Sequence, residues 1–405
     1  MAEVMVKLGF LRGRASPCCY HHPGRGIRCV AHGDDFVIAG SPAELAWAKL
    51  ELGKAFLTKE IGTLGSGPGE IDELRILNRV IRWRPDGVMY EADPRHADIL
   101  CAGLAGASQS VRTPGTSSRD LSTDLDEELP AAEAGLFRSF AARAMYLALD
   151  RPDLSFTAKE LCRRMRAPGR ADLEALRRLG RYVADSPRIT YHFKWGGSGS
   201  QLTVYSDTDF AGCRATRRST SGGCAMWGDQ LVKHWSTTQK TVALSSGEAE
   251  LGGIVKAASE SLGLQSLAAD LGLDVKIALC TDSSAAIGIC RRTGIGRVRH
   301  LAVGQLWVQD LIRDKSVSLY KVRGEVNPAD LMTKSLARTV LDGHMSRLHV
   351  HREYGRAESA PAASAEVDTS LVSRRRWADI AEDEPDDAWG PEPLQEESQY
   401  FNIRC

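Results

Sequence analysis

The stretches Leu202-Thr-Val-Tyr-Ser-Asp207 and Val275-Lys-Ile-Ala-Leu-Cys-Thr-Asp282 decide the fold. Each is a short run that ends on an aspartate. Apolar residues alternate in both, Leu202 and Val204 in the first and Val275, Ile277 and Leu279 in the second, which predicts strands with a buried face. If the two strands are parallel neighbours, Asp207 and Asp282 meet at one edge of the sheet, where open α/β sheets build their sites.

Working outward, further strands are expected at 220–228, 231–236 and 316–322. A long helix is expected over 246–271, with Leu251, Ile254, Val255, Ala258 and Leu262 at helical spacing. Helices at 283–291, at 300–313 and from Pro328 complete the order β-β-β-α-β-α-α-β-α. That order predicts one mixed α/β domain over 200–340. Upstream, Gly26–Gly40 reads as two strands around the turn His32-Gly33-Asp34-Asp35, and Ser41, Pro42 and Glu44 open a helix running to Phe56. Paired strands are expected over 71–92 and a short helix over 93–104, so that 1–104 forms one unit. A Gly/Ser/Thr/Pro-rich linker over 105–133 leads to a helical connection over 134–195, with helices at 134–149, 152–166 and 170–185. Gly196–Ser200 is a hinge. The tail, 345–405, is rich in Ala, Ser, Pro and acid and is expected to be disordered.

The 405 residues are 43% hydrophobic and 26% charged, enough for a real core. No run of about 18 apolar residues is present, which argues against a membrane span. The N-terminus lacks the plan of a signal peptide, so an intracellular, soluble protein is expected, cytoplasmic or nuclear. The zero formal charge hides an asymmetry: residues 351–405 carry a net charge of −7, leaving +7 on the rest. Arg163, Arg164, Arg166, Arg170, Arg177, Arg178 and Arg181 lie on two helices and read either as a nucleic-acid track or as a solvated face. Adjacent Cys18 and Cys19 beside His21 and His22 lack the spacing that wraps zinc, so reduced thiols are expected.

Four acids hold telling positions: Asp207 and Asp282 at strand ends, Glu248 in the first turn of the long helix, and Asp330 in the first turn of the last. Gathered together, they would repel one another unless a cation sat among them. Their hard oxygens suit Mg²⁺, and two such ions roughly 4 Å apart can activate water and stabilise the leaving oxygen of a phosphodiester. Each acid also has a plain structural reading. Asp330 suits a helix N-terminus capped by Asn327, Glu248 and Glu250 suit a capping box with Ser245 or Ser246, Asp282 suits a helix cap, and Asp207 and Asp209 suit a turn.

Ordered motifs carry a family resemblance. Tyr205-Ser-Asp-Thr-Asp-Phe-Ala-Gly212, Arg218-Ser-Thr-Ser-Gly-Gly223, Thr241-Val-Ala-Leu-Ser-Ser-Gly-Glu-Ala-Glu250, Cys280-Thr-Asp-Ser-Ser-Ala-Ala-Ile287, Arg299-His-Leu301 and Asn327-Pro-Ala-Asp-Leu-Met-Thr-Lys334 resemble the ribonuclease H region of copia-type retrotransposon polyproteins. Phe137–Phe156 resembles the connection before it, and His32-Gly-Asp-Asp35 the paired-aspartate motif of the reverse-transcriptase palm. The likeness spans roughly 26–340. It implies an α/β fold with a ribonuclease H-like mixed sheet and flanking helices, preceded by a partial palm. It also implies that Asp207, Glu248, Asp282 and Asp330 bind two Mg²⁺ ions and hydrolyse the RNA strand of an RNA–DNA hybrid. Arg291, Arg292, Arg297, Arg299 and His300 are candidate nucleic-acid contacts, with other parts of a polyprotein as possible partners. This sequence departs from the family at His32 and Gly33, at Gly247 and Leu251, and at Ser283, but keeps every carboxylate.

By the same resemblance Asp34 and Asp35 would be polymerase metal ligands. The residues before Gly26 contain no Asp to complete that site, so a vestigial, inactive polymerase portion is expected. The competing reading is a catalytically inactive transposon remnant that only binds nucleic acid.

Overall fold

The computed structural model describes residues 1–105, 110–116, 127–196, 199–296, 300 and 303–353, together with the backbone of 401–403. Three sheets organise them. The first follows helix α1 (Ala2–Lys7) and contains β1 (Leu11–Arg12), β2 (Cys19–His22), β3 (Ile27–His32), β4 (Asp35–Ala39) and, after helix α2 (Pro42–Ala55), β5 (Thr58–Glu60). Successive strands from β1 to β4 pair antiparallel. Gly33, at φ 59°, is the first central residue of the two-residue turn between β3 and β4, a position that favours glycine. Ser41 precedes α2 without a side-chain cap, and Glu44 turns instead to Arg25 at 2.7 Å. The expected capping box therefore does not form.

The second sheet revises the expected division of the chain. Strands β6 (Glu73–Ile76), β7 (Arg79–Arg84) and β8 (Gly87–Glu91) are followed by helices α3 (Pro94–Leu100), α4 (Ala131–Ala148), α5 (Ser155–Cys162) and α6 (Arg170–Asp185). A strand not expected from sequence, β9 (Arg188–Lys194), then pairs with β8. The paired strands expected within a unit ending at 104 thus belong to one sheet with the end of the connection. Helix α3 gives way to a single wide turn at Cys101–Ala105.

The third sheet contains β10 (Gln201–Asp209), β11 (Thr220–Trp227), β12 (Gln230–Thr238), β13 (Lys276–Thr281) and β14 (Val317–Lys321) in the order β12-β11-β10-β13-β14. Strands β10 and β13 are parallel, as are β13 and β14, whereas β11 and β12 run antiparallel. Helix α7 (Ser246–Asp270) links β12 to β13, and α8 (Ser284–Arg291) and α9 (Trp307–Arg313) link β13 to β14. Leu202, Val204, Leu251, Ile254, Ile277 and Leu279 form the core between sheet and helices. The helix expected from Pro328 is only a 3-10 turn, Pro328–Met332, and α10 (Arg338–Arg347) begins later. Order continues past the expected start of the tail at 345: β15 (Val350–Glu353) pairs antiparallel with β9, and residues 354–400 lie outside the described residues. The backbone of β16 (Phe401–Ile403) pairs parallel with β4 and β5.

The second and third sheets share one core, in which Ile189 and Tyr191 meet Cys224, Met226, Leu331, Leu341 and Val350. The first sheet docks on the end of α7: Arg14 N and Ser16 N donate to Asp270 at 2.8 and 2.7 Å, and Arg28 Nε donates to Leu271 O at 2.8 Å. Among the described residues, no helix is long and apolar enough to cross a membrane.

Candidate active site

The parallel pairing of β10 with β13 sets Asp207 and Asp282 at one edge, as the strand ends implied. The helix carboxylate that joins them is Glu250, two residues beyond the expected Glu248. Ligating oxygens of Asp207, Glu250 and Asp282 lie within 4.8 Å of one another. Close approach of α7 to β10 makes this possible: a Cβ on Gly253 would come within 2.4 Å of Thr208 Oγ1 and 2.9 Å of Ser206 Oγ.

Glu248 does what a capping residue does. Its N–H donates to Ser245 Oγ at 3.3 Å, and its carboxylate accepts from Leu244 N at 2.8 Å and sits 2.9 Å from His300 Nε2. The available signal for Glu250 was its phase. It stands four residues before Ile254 and seven before Ala257, both buried on the sheet side of α7.

Asp330 arrives on the 3-10 turn, which three contacts hold against β10 and its neighbours. Asn327 caps the turn through Ala329 N at 3.2 Å and donates from Nδ2 to Ser206 O at 2.9 Å. Thr333 donates its hydroxyl to Asp207, and Ser236 donates to Met332 O at 2.6 Å. Gly222, opposite Asp207 in the ladder, leaves room for the turn. A Cβ there would lie 2.5 Å from Thr333 Cγ2 and 2.8 Å from Met332 Cβ. Lys334 Nζ stands 2.8 Å from Asp330 Oδ1 and 3.6 Å from Asp207 Oδ2.

The electrostatics match four acids drawn together out of water. Burial, reinforced by Asp207 and Asp282, pushes Glu250 up to about 8. Burial and the charge of Asp207 push Asp330 up to about 7 against the pull of Lys334, and the same two causes raise Asp282. Glu250 is only 9% exposed, and one of its oxygens has no hydrogen-bond partner. An oxygen-only donor set with an orphaned buried carboxylate oxygen fits a hard divalent cation. Asp209 is also buried and raised, to about 6, but it accepts from Thr220 N and stands outside the triad.

The other expected contacts fare differently. Arg291 donates to Leu319 O at 3.0 Å and Arg292 to Ile295 O, while Arg297 and Arg299 lie outside the described residues. On the connection helices Arg163, Arg164, Arg170 and Arg177 pair with Glu160, Asp172, Glu133 and Glu174, the pattern of a solvated, self-paired face. Asp34 is exposed at its hairpin turn. Among the described residues, neither it nor Asp35 joins a group of three metal-ligating side chains. His22 packs edge-on against Phe10 and Trp47, with ring centroids 5.2 and 5.5 Å away.

Fold and site together define a mixed α/β protein with an acidic site at the carboxyl edge of its central sheet. No family model matches the chain. It is 27% identical over 330 residues to the retrovirus-related Pol polyprotein from transposon RE1 of Arabidopsis thaliana, covering 80% of this chain and 22% of that protein. To the Pol polyprotein from transposon TNT 1-94 of Nicotiana tabacum it is 26% identical over 343 residues, covering 81% and 25%. The chain is similar to these retrotransposon Pol polyproteins and spans about a quarter of their length. A structure of LC11-RNase H1 in complex with RNA/DNA hybrid matches at a TM-score of 0.25 and 14% identity, over 33% of this chain and 94% of that one. At that score the strand order, not the superposition, defines the fold.

Proposed function

We propose that this chain is a retrotransposon ribonuclease H, an endonuclease that hydrolyses the RNA strand of RNA–DNA hybrids with Mg²⁺. The observation that carries the reading is the convergence of Asp207, Glu250 and Asp282 within 4.8 Å, on two parallel strands and the helix that crosses between them. The strand order, three antiparallel strands continued by two parallel ones, supports a ribonuclease H-like domain.

Asp207, Glu250 and Asp282 would hold one ion, and Asp207 with Asp330 a second. Bound there, divalent cations supply a water that ionises near neutral pH and charge that stabilises the leaving oxygen. The chain's own residues do the positioning. Thr333 orients Asp207, Asn327 fixes the turn that carries Asp330, and Gly253 keeps Glu250 in reach. The 2′-hydroxyl of the cleaved strand distinguishes RNA from DNA. His300, tied to Glu248 at 2.9 Å, belongs to the rim that receives the hybrid.

Asp34 and Asp35 stay outside this reaction, and we assign the reverse-transcriptase-like portion no polymerase activity. The exposure of Asp34 on its hairpin turn supports that reading. The test uses the full chain with a labelled hybrid, in Mg²⁺ or EDTA, beside Asp282→Asn. Mg²⁺-dependent cutting of the RNA strand that Asp282→Asn abolishes is the expected result. A folded chain that binds hybrid and cuts nothing in Mg²⁺ leaves the nucleic-acid-binding remnant in its place.

A further inference from the structure

The two sides of the carboxylate site are not alike. On the triad side Glu250 keeps an oxygen without any donor among the described residues, and Lys334 acts on Glu250 and Asp282 only as a more distant charge. On the other side an ammonium group is already in place, with Lys334 Nζ 2.8 Å from Asp330 Oδ1 and 3.6 Å from Asp207 Oδ2. The second Asp330 oxygen lies 4.0 Å from His344 Nε2, and Asp207 Oδ2 also accepts from the Thr333 hydroxyl.

The oxygens that Lys334 holds are those a second cation would need. Lys334 is free to leave them, because its side chain is 48% exposed and ends a flexible four-carbon stem with a compact point charge. We infer that Lys334 is a built-in counter-ion at the second cation position. The resting site then takes up one divalent cation at Asp207, Glu250 and Asp282. It admits a second, between Asp207 and Asp330, only as Lys334 swings out to solvent. The inference rests on the metal-site reading above and adds an order of filling to it.

Displacing a half-exposed ion pair is a modest penalty, so the second cation is weakened by about fivefold rather than excluded. Isothermal titration of the full chain with Mn²⁺, without nucleic acid, tests this directly. The wild type is expected to bind one ion and then a weaker second. Lys334→Gln should tighten the second about fivefold, leave the first within about twofold, and melt lower in EDTA. Lys334→Arg should keep the wild-type order. Where the glutamine variant fails to fold, Lys334→Met gives the same reading. A second affinity that is unchanged or weakened without the ammonium overturns the inference and leaves a one-ion site standing. A wild-type chain that binds no ion overturns the metal-site reading as well.

Discussion

Glu250 makes the stability of the metal-free protein depend on pH. Its carboxyl is raised from the ordinary 4.5 to about 8 by burial and by Asp207 and Asp282. A group raised in this way holds its proton more tightly in the native state than in the unfolded chain. Its native state is therefore unpenalised below pH 4.5 and loses stability as the pH rises toward 8. At about 1.4 kcal/mol per pH unit, the full span amounts to on the order of 5 kcal/mol. Asp330, raised to about 7, adds to the fall over the same range. Denaturant melts of the full chain in EDTA should show stability declining from pH 5 to 8. Glu250→Gln should remove roughly half of that slope, and Mg²⁺ should restore the wild type at pH 8 but the variant far less. Glu248→Gln, a loss of helix capping, should cost about 1 kcal/mol. Parallel wild-type and Glu250→Gln curves would refute the assignment of Glu250 to the site.

Gly222→Ala should cost about 1–3 kcal/mol by overpacking and, by pushing the 3-10 turn off β11, abolish hybrid cleavage at temperatures where the variant is still folded; full activity would show that the turn need not sit so close. His234, whose Nδ1 lies 2.8 Å from Ser155 Oγ, is held down to about 4 by burial. In acid the unfolded chain takes a proton that the native state refuses, so stability should fall as the pH drops from about 6.5 toward 4, and His234→Gln should blunt that fall in denaturant titrations. A fragment of 200–340 alone loses Ile189, Tyr191 and Val350 from the shared core; it should elute as aggregates and bind a hydrophobic dye, where the full chain does neither.

The central domain was legible because its signals are local. Alternation in 202–207 and 275–281 marks β10 and β13, the Leu251–Leu262 spacing marks α7, and Asp207 and Asp282 follow from where the strands end. What was not legible depended on distant partners. Ile189, Tyr191 and Phe193 alternate as a strand should, but nothing near them in sequence names β8 and β15 as neighbours. That pairing ties residues 73–91 to the connection and carries the ordered chain to Glu353. The helix acid was misplaced for a different reason. Glu248 and Glu250 both lie at the start of α7, and only the first stands in the capping position. The close packing at Gly253, which selects Glu250, exists only once α7 lies on β10. The turn at Pro328–Met332 is likewise shaped by contacts from Ser206, Ser236 and Gly222 across the sheet.

The most direct test of the site is hydrolysis of a labelled RNA–DNA hybrid by the full chain in Mg²⁺, with Glu250→Gln and Glu248→Gln measured side by side. Glu250→Gln is expected to lose cleavage while its folded fraction is intact, and Glu248→Gln to stay within about tenfold of the wild type, the lower end of what losing an outer contact to a metal site costs. Equal activity in wild type and Glu250→Gln, or loss confined to Glu248→Gln, would contradict that expectation.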